Sequence, residues 1–132
     1  MITRFLIGLL VIFLLTGCQT LSERKQADAL QEVLRTYGGV VRWGSFDQLR
    51  RFVRPDRAGE PVADTSGQIR VTHYEVVQGP ALVDGNKAIQ TALIQYVFVD
   101  SQVVKEVVDQ QTWEYDAEQE SWYLISPLPS LK

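Results

Sequence analysis

The sequence is poor in the residues that usually carry chemistry. One cysteine in 132 residues, Cys18, leaves no intramolecular disulfide, so a folded domain must rest on its apolar core alone. One histidine, His73, excludes a histidine pair and the histidine-rich metal sites. No Gly-rich phosphate loop, serine elbow or acidic metal motif occurs, and neither a metal nor a cofactor is expected. There is no internal repeat and no low-complexity stretch. Basic residues number 13 against 16 acidic, a net charge of −3, which argues against general nucleic-acid binding.

What is present begins with an apolar run. Met1-Ile2-Thr3-Arg4 carries one positive charge, and Phe5 to Leu15 has no charged or polar side chain. A short basic segment followed by an apolar segment too short to span a bilayer comfortably is the layout of a secretory signal. A short buried helix is the other reading, and the Gly17-Cys18 pair followed at once by a polar, charged segment disfavours it. Leu15-Thr16-Gly17-Cys18 resembles the lipobox of bacterial lipoproteins, a leucine, a small residue, Gly or Ala, then Cys. The resemblance implies cleavage between Gly17 and Cys18, a diacylglyceryl thioether on the Cys18 sulfur and a palmitate-type acyl chain on its new amino group. Each buried methylene contributes about 0.8 kcal/mol, and stable anchoring takes more than one chain, which this modification supplies. Gln19 follows the cysteine in place of the aspartate that retains such lipoproteins in the inner membrane. The implied destination is the outer membrane, on its periplasmic face.

The expected organisation is a signal peptide over 1–17, a lipidated tether over 18–22 and one domain over 23–132. Losing Arg4 with the signal leaves 12 basic residues against 16 acidic, a net charge of −4. The mature length suits a single core without staples. From Glu23 to about Trp43 the spacing predicts a helix, with Ser22 as its cap and Ala27, Leu30, Val33, Leu34, Tyr37, Val40 and Val41 as its apolar stripe. Gly38-Gly39 interrupts it at about 1 kcal/mol per glycine relative to alanine, which predicts a kink or a close neighbouring backbone. Ser45-Phe46-Asp47-Gln48 fits a capping box for a short second helix ending by Arg54, ahead of Pro55. Residues 55–67 read as a loop.

The remainder is rich in β-branched and aromatic residues in four runs, about 68–78, 87–100, 103–115 and 121–126. Gly79-Pro80 and Asp84-Gly85-Asn86 separate the first two, and short connections imply an antiparallel meander. A helix over 102–111 is the alternative for the third run, disfavoured by the β-branched Val103, Val104, Val107 and Val108. The expected class is α+β, a long helix and a short helix packed on a curved four-stranded antiparallel sheet. That order of elements, ending in WEYDAEQESWYLISPLP, resembles the cystatin-like roll and, more closely, the nuclear transport factor 2-like group. It is also similar to small proteobacterial lipoproteins that share a helix ending in RWGSFDQLRRFV and a terminal Trp-x-Tyr hairpin. The third helix common in the nuclear transport factor 2-like group has no counterpart in the sequence.

Three features are candidates for function. His73 stands mid-strand with Glu75 two residues on, on the same face. Pocket enzymes of the fold it resembles use His, Asp and Tyr for proton transfer, which makes Asp109 the candidate partner of His73 in a hydrolase- or isomerase-like site. A structural or solvated histidine is the competing reading. Arg42, Arg50, Arg51, Arg54 and Arg57 give residues 42–57 a balance of +3, against −6 over 100–120. A basic helix near a lipid anchor can lie on anionic headgroups or pair with the protein's own acids. Trp43, Trp113, Tyr115, Trp122 and Tyr123 can line a groove for a peptide or glycan, or fill the core between helix and sheet. Trp113 and Tyr115 share a face, and Trp122 and Tyr123 must point to opposite ones. Arg50, Arg51, Arg54, Trp113 and Tyr115 are therefore the candidate ligand or partner surface. The expected function is a non-catalytic binding or assembly module facing the periplasm, with the small pocket enzyme as alternative. Its expected partners are the membrane, through the anchor, and another envelope protein or a small ligand, and nothing in the sequence sets an oligomeric state.

Overall fold

A long helix, α1 (Ile2–Trp43), lies across one face of a four-stranded antiparallel sheet. The computed structural model describes the backbone of residues 2–57, 59 and 67–132, and side chains from residue 20 onward within those limits. The signal peptide expected over 1–17 and the lipidation site Cys18 lie outside the residues whose side chains are described. Among the described residues no helix is long and apolar enough to cross a membrane.

Ser22 does not start the helix. The chain around it contains no breaker, and α1 runs through it unbroken, so its backbone groups are satisfied within the helix rather than by a cap. The buried face of α1 carries Leu30, Leu34, Tyr37, Val40 and Val41. Ala27 is exposed, and Ala29 packs against the core in its place. The helix continues through Gly38-Gly39. The close neighbour expected there is a side chain: a Cβ on Gly38 would stand 2.8 Å from Cε1 of Tyr74, whereas one on Gly39 would meet nothing within 4 Å.

The second helix is a 3-10 helix, Phe46–Phe52, at whose start the Ser45 N–H donates to Gln48 Oε1 at 3.3 Å. It buries Leu49 and Phe52, and Pro55–Arg57 adds one further 3-10 turn. The expected loop over 55–67 falls mostly outside the described residues.

The strands are β1 (Ile69–Asp84), β2 (Lys87–Phe98), β3 (Val104–Asp116) and β4 (Ser121–Leu124), paired in chain order. The run over 102–111 is therefore strand, as its valines require. The first strand, however, does not stop at residue 78. It passes through Gly79-Pro80 and turns only at Gly85-Asn86. Proline is tolerated because β1 is an edge strand, where an absent N–H breaks no ladder, and register shifts between Val76 and Gln78 and between Gln78 and Ala81 absorb the irregularity. The opposite edge, β4, is covered in part by a parallel bridge from Val53 to Leu124.

Register decides which side chains meet α1. Tyr74, Ile94 and Val107 align across the sheet, as do Ala88, Trp113 and Leu124. The core is built from this inner face, with Tyr37 packed edge-on against Phe52 and Trp113, ring centroids 5.3 Å away in both cases. The Trp122 indole N–H donates to Gln26 O at 2.9 Å, and Gln26 Nε2 donates to Gly85 O at 3.0 Å, tying the middle of α1 to the sheet. Leu131 is buried, and Tyr96 Oη donates to Lys132 O at 2.8 Å.

Candidate functional site

Three polar side chains interrupt the apolar inner rows of β2 and β3: Gln90, Asp109 and Gln111, all buried. Period-2 alternation puts them beneath α1, and a buried polar group must find partners there. Tyr37 Oη, from the helix, donates to Asp109 Oδ2 at 3.0 Å. Trp113 Nε1, which can only donate, reaches Gln111 Oε1 at 3.2 Å and so fixes the orientation of that amide. Gln111 Nε2 is then left to donate to Asp109 Oδ2 at 2.9 Å and to the Tyr74 oxygen at 3.0 Å. Gln90 Nε2 gives a second bond to Gln111 Oε1, at 3.2 Å.

The cluster holds a carboxyl but no cation. Burial pushes Asp109 above the ordinary carboxyl value, while hydrogen bonds from Gln111 and Tyr37 pull it part of the way back. Burial and the neighbouring Asp109 hold the Tyr37 hydroxyl well above its usual value. Burial also raises Tyr74, against the opposing hydrogen bonds of Gln111 and Gln90. Both tyrosines therefore stay neutral donors, and no nucleophile stands beside a base.

At one side this cluster reaches the surface. Leu34, Arg35 and Gly38 of α1, Tyr74 and Val76 of β1, and Gln90 of β2 line an open groove of about 230 Å³. Gly38 makes it possible: the missing Cβ lets the Tyr74 ring lie against the helix. Arg35 stands at the rim, paired with Glu32 at 2.8 Å.

The structure does not bring His73 and Asp109 together. His73 pairs across the ladder with Gln95, on the outer face, whereas Asp109 pairs with Ala92 on the inner one. The His73 side chain is 53% exposed and lies 3.6 Å from Glu75 Oε2. A sheet stands between the two residues of the enzyme alternative, so they cannot share a proton. Among the described residues no group of three or more His, Cys, Asp or Glu could hold a metal ion.

Trp113 is not part of a surface either. It is fully buried against Tyr37 and Phe52, because its row of β3 faces the helix. Tyr115 is half-buried beside Trp122, with ring centroids 5.3 Å apart. Trp122 points inward, Tyr123 is half-buried on the other side, and Trp43 is 79% exposed with the Arg42 guanidinium 3.8 Å above its ring. The arginines largely meet the protein's own groups. Arg54 pairs with Glu114, Arg50 lies 3.2 Å from Asp47, and Arg51 lies 5.0 Å from the Phe52 ring centroid.

Tyr37, Tyr74, Gln90 and Gln111 carry this site, and sequence reasoning did not single them out. The signal was parity: Gln90 falls in step with Ala88, Ala92 and Ile94, and Gln111 with Asp109 and Trp113. Polar residues in phase with a core row announce a buried hydrogen-bonded cluster. No protein-family model matches the chain, and no curated protein or solved structure matches it either.

Proposed function

We propose that the protein is an outer-membrane lipoprotein whose α+β domain is a non-catalytic binding or assembly module in the periplasm. The single observation that carries the reading is Leu15-Thr16-Gly17-Cys18 at the end of an apolar run, with the only thiol of the chain at the modification point. Cutting before Cys18 leaves a lipidated residue directly ahead of the α1 segment that packs on the sheet. The resemblance in element order to the cystatin-like and nuclear transport factor 2-like folds supports a domain that works through a concave face. Separation of His73 from Asp109 supports binding over catalysis. The experiment is metabolic labelling with a palmitate analogue: the wild-type chain takes up label and Cys18→Ser does not. Equal labelling of both removes the anchor from the account. For the non-catalytic half, His73→Gln fully complements a deletion strain; failure at unchanged protein level and melting temperature restores the enzyme alternative.

A further inference from the structure

We propose that Tyr96 and Lys105 form a main-chain clamp for a peptide segment, which residues 127–132 occupy as a strap and which a partner segment bearing one leucine-like side chain takes over by displacing them. This deepens the binding-module reading and rests on it, since it gives the envelope partner a place on the domain. The clamp is built by register. Tyr96 and Lys105 stand directly opposite one another on β2 and β3, so their side chains share the inner face. The Lys132 main chain meets both of them. Tyr96 Oη donates to Lys132 O at 2.8 Å and accepts from the Lys132 N–H at 3.1 Å, while Lys105 Nζ donates to the same carbonyl oxygen at 2.9 Å. Phe98 steadies the pair, its ring centroid 6.1 Å from that of Tyr96 and 4.8 Å from Lys105 Nζ. One N–H and one C=O are thus held together, and the carbonyl takes a charged donor. These bonds use only main-chain atoms of Lys132, so they fit any residue but proline.

The strap itself shows what chemistry the site takes. Leu131 is 5% exposed and belongs to the same apolar core as Tyr96, whereas Ser130 and Lys132 on either side of it are exposed. One side chain is the main anchor, and Leu128 adds a half-buried contact. Upstream, Ser126 Oγ accepts from the Thr112 N–H at 3.0 Å, and beyond it Pro127 and Pro129 lack the N–H that would carry the β4 pairing onward. A segment fastened past Ser126 by two leucines and the main chain of one residue opens locally at far less cost than the core behind it. Main-chain hydrogen bonds for affinity, beside a side-chain pocket for specificity, are how sheets take peptides in general. The strap is a peptide of that kind, seated in place.

The test uses the full chain in detergent micelles and the fluorescein-labelled peptide Pro-Leu-Pro-Ser-Leu-Lys-amide, which carries the strap's own sequence. Leu131→Glu frees the strap and leaves the clamp intact. It binds the peptide about tenfold or more tighter than the wild type, whose tethered strap competes at an effective concentration on the order of millimolar. In that background Tyr96→Phe weakens binding about tenfold, and so does replacing the second leucine of the peptide with serine. No gain in affinity for Leu131→Glu, or equal binding of the serine peptide, overturns the proposal. Native-state hydrogen exchange on the wild type needs no variant: the Lys132 amide exchanges about 100-fold faster than that of Ile94, through an opening that urea does not promote. Exchange of the two only together, through global unfolding, makes the strap a fixed part of the core and overturns its release. An envelope partner captured in cells through a photo-crosslinker at Trp43 but not at Phe98 overturns the site while leaving the binding-module reading in place.

Discussion

Asp109 is a carboxyl given hydrogen bonds but no cation, and its pH response follows from that. Burial raises its folded value above the roughly 3.9 of an unfolded aspartate. Between those two values the native state holds a proton that the unfolded state has lost. The associated stability is therefore fully present below about pH 4 and is lost as pH rises through the folded value. Asp109→Asn, neutral at every pH, gains on the wild type in urea unfolding as pH goes from 4 to 7; a difference that does not vary with pH contradicts this. Leu34, buried against the sheet, tests packing: Leu34→Ala costs about 2–5 kcal/mol, and a loss below about 1 kcal/mol contradicts its place in the core. Leu34 was legible from helical spacing. The partners of Asp109 were not, because cross-strand register and the turn of α1 over the sheet bring Tyr37, 72 residues away in sequence, to its carboxylate.

At the scale of elements, the two glycines of α1 have opposite reasons for being there. Gly38 makes room for the Tyr74 ring and Gly39 makes room for nothing. Gly39→Ala gains about 0.5–1 kcal/mol of stability from helix propensity. Gly38→Ala has the same propensity gain but drives a Cβ into the ring, for a net loss of about 1–3 kcal/mol. Thermal melts of the pair check this, and two changes of the same sign contradict it. The helix, the four strands and their antiparallel order were readable from periodicity and turn residues. The end of β1 was not: Gly79-Pro80 looks like a break until the strand is known to be an edge, and edge position is a property of the whole sheet.

At the scale of the molecule, the contrast between a basic 42–57 and an acidic 100–120 is partly neutralised within the fold. Arg54 joins Glu114 across those two regions, and Lys87 approaches the same carboxylate at 3.9 Å. Surface pairs of this kind each contribute about 0.2–1 kcal/mol and weaken with salt. They leave less free positive charge for headgroups than the sequence count suggests. The membrane association proposed above therefore rests on a lipid at Cys18 rather than on the arginines, and salt separates the two. The most direct measurement is fractionation of cells expressing the wild-type chain or Cys18→Ala, with a high-salt wash of the membranes. The account predicts that the wild type stays with the outer membrane through the wash while Cys18→Ala does not associate with it; Cys18→Ala protein retained in washed outer membranes would contradict it.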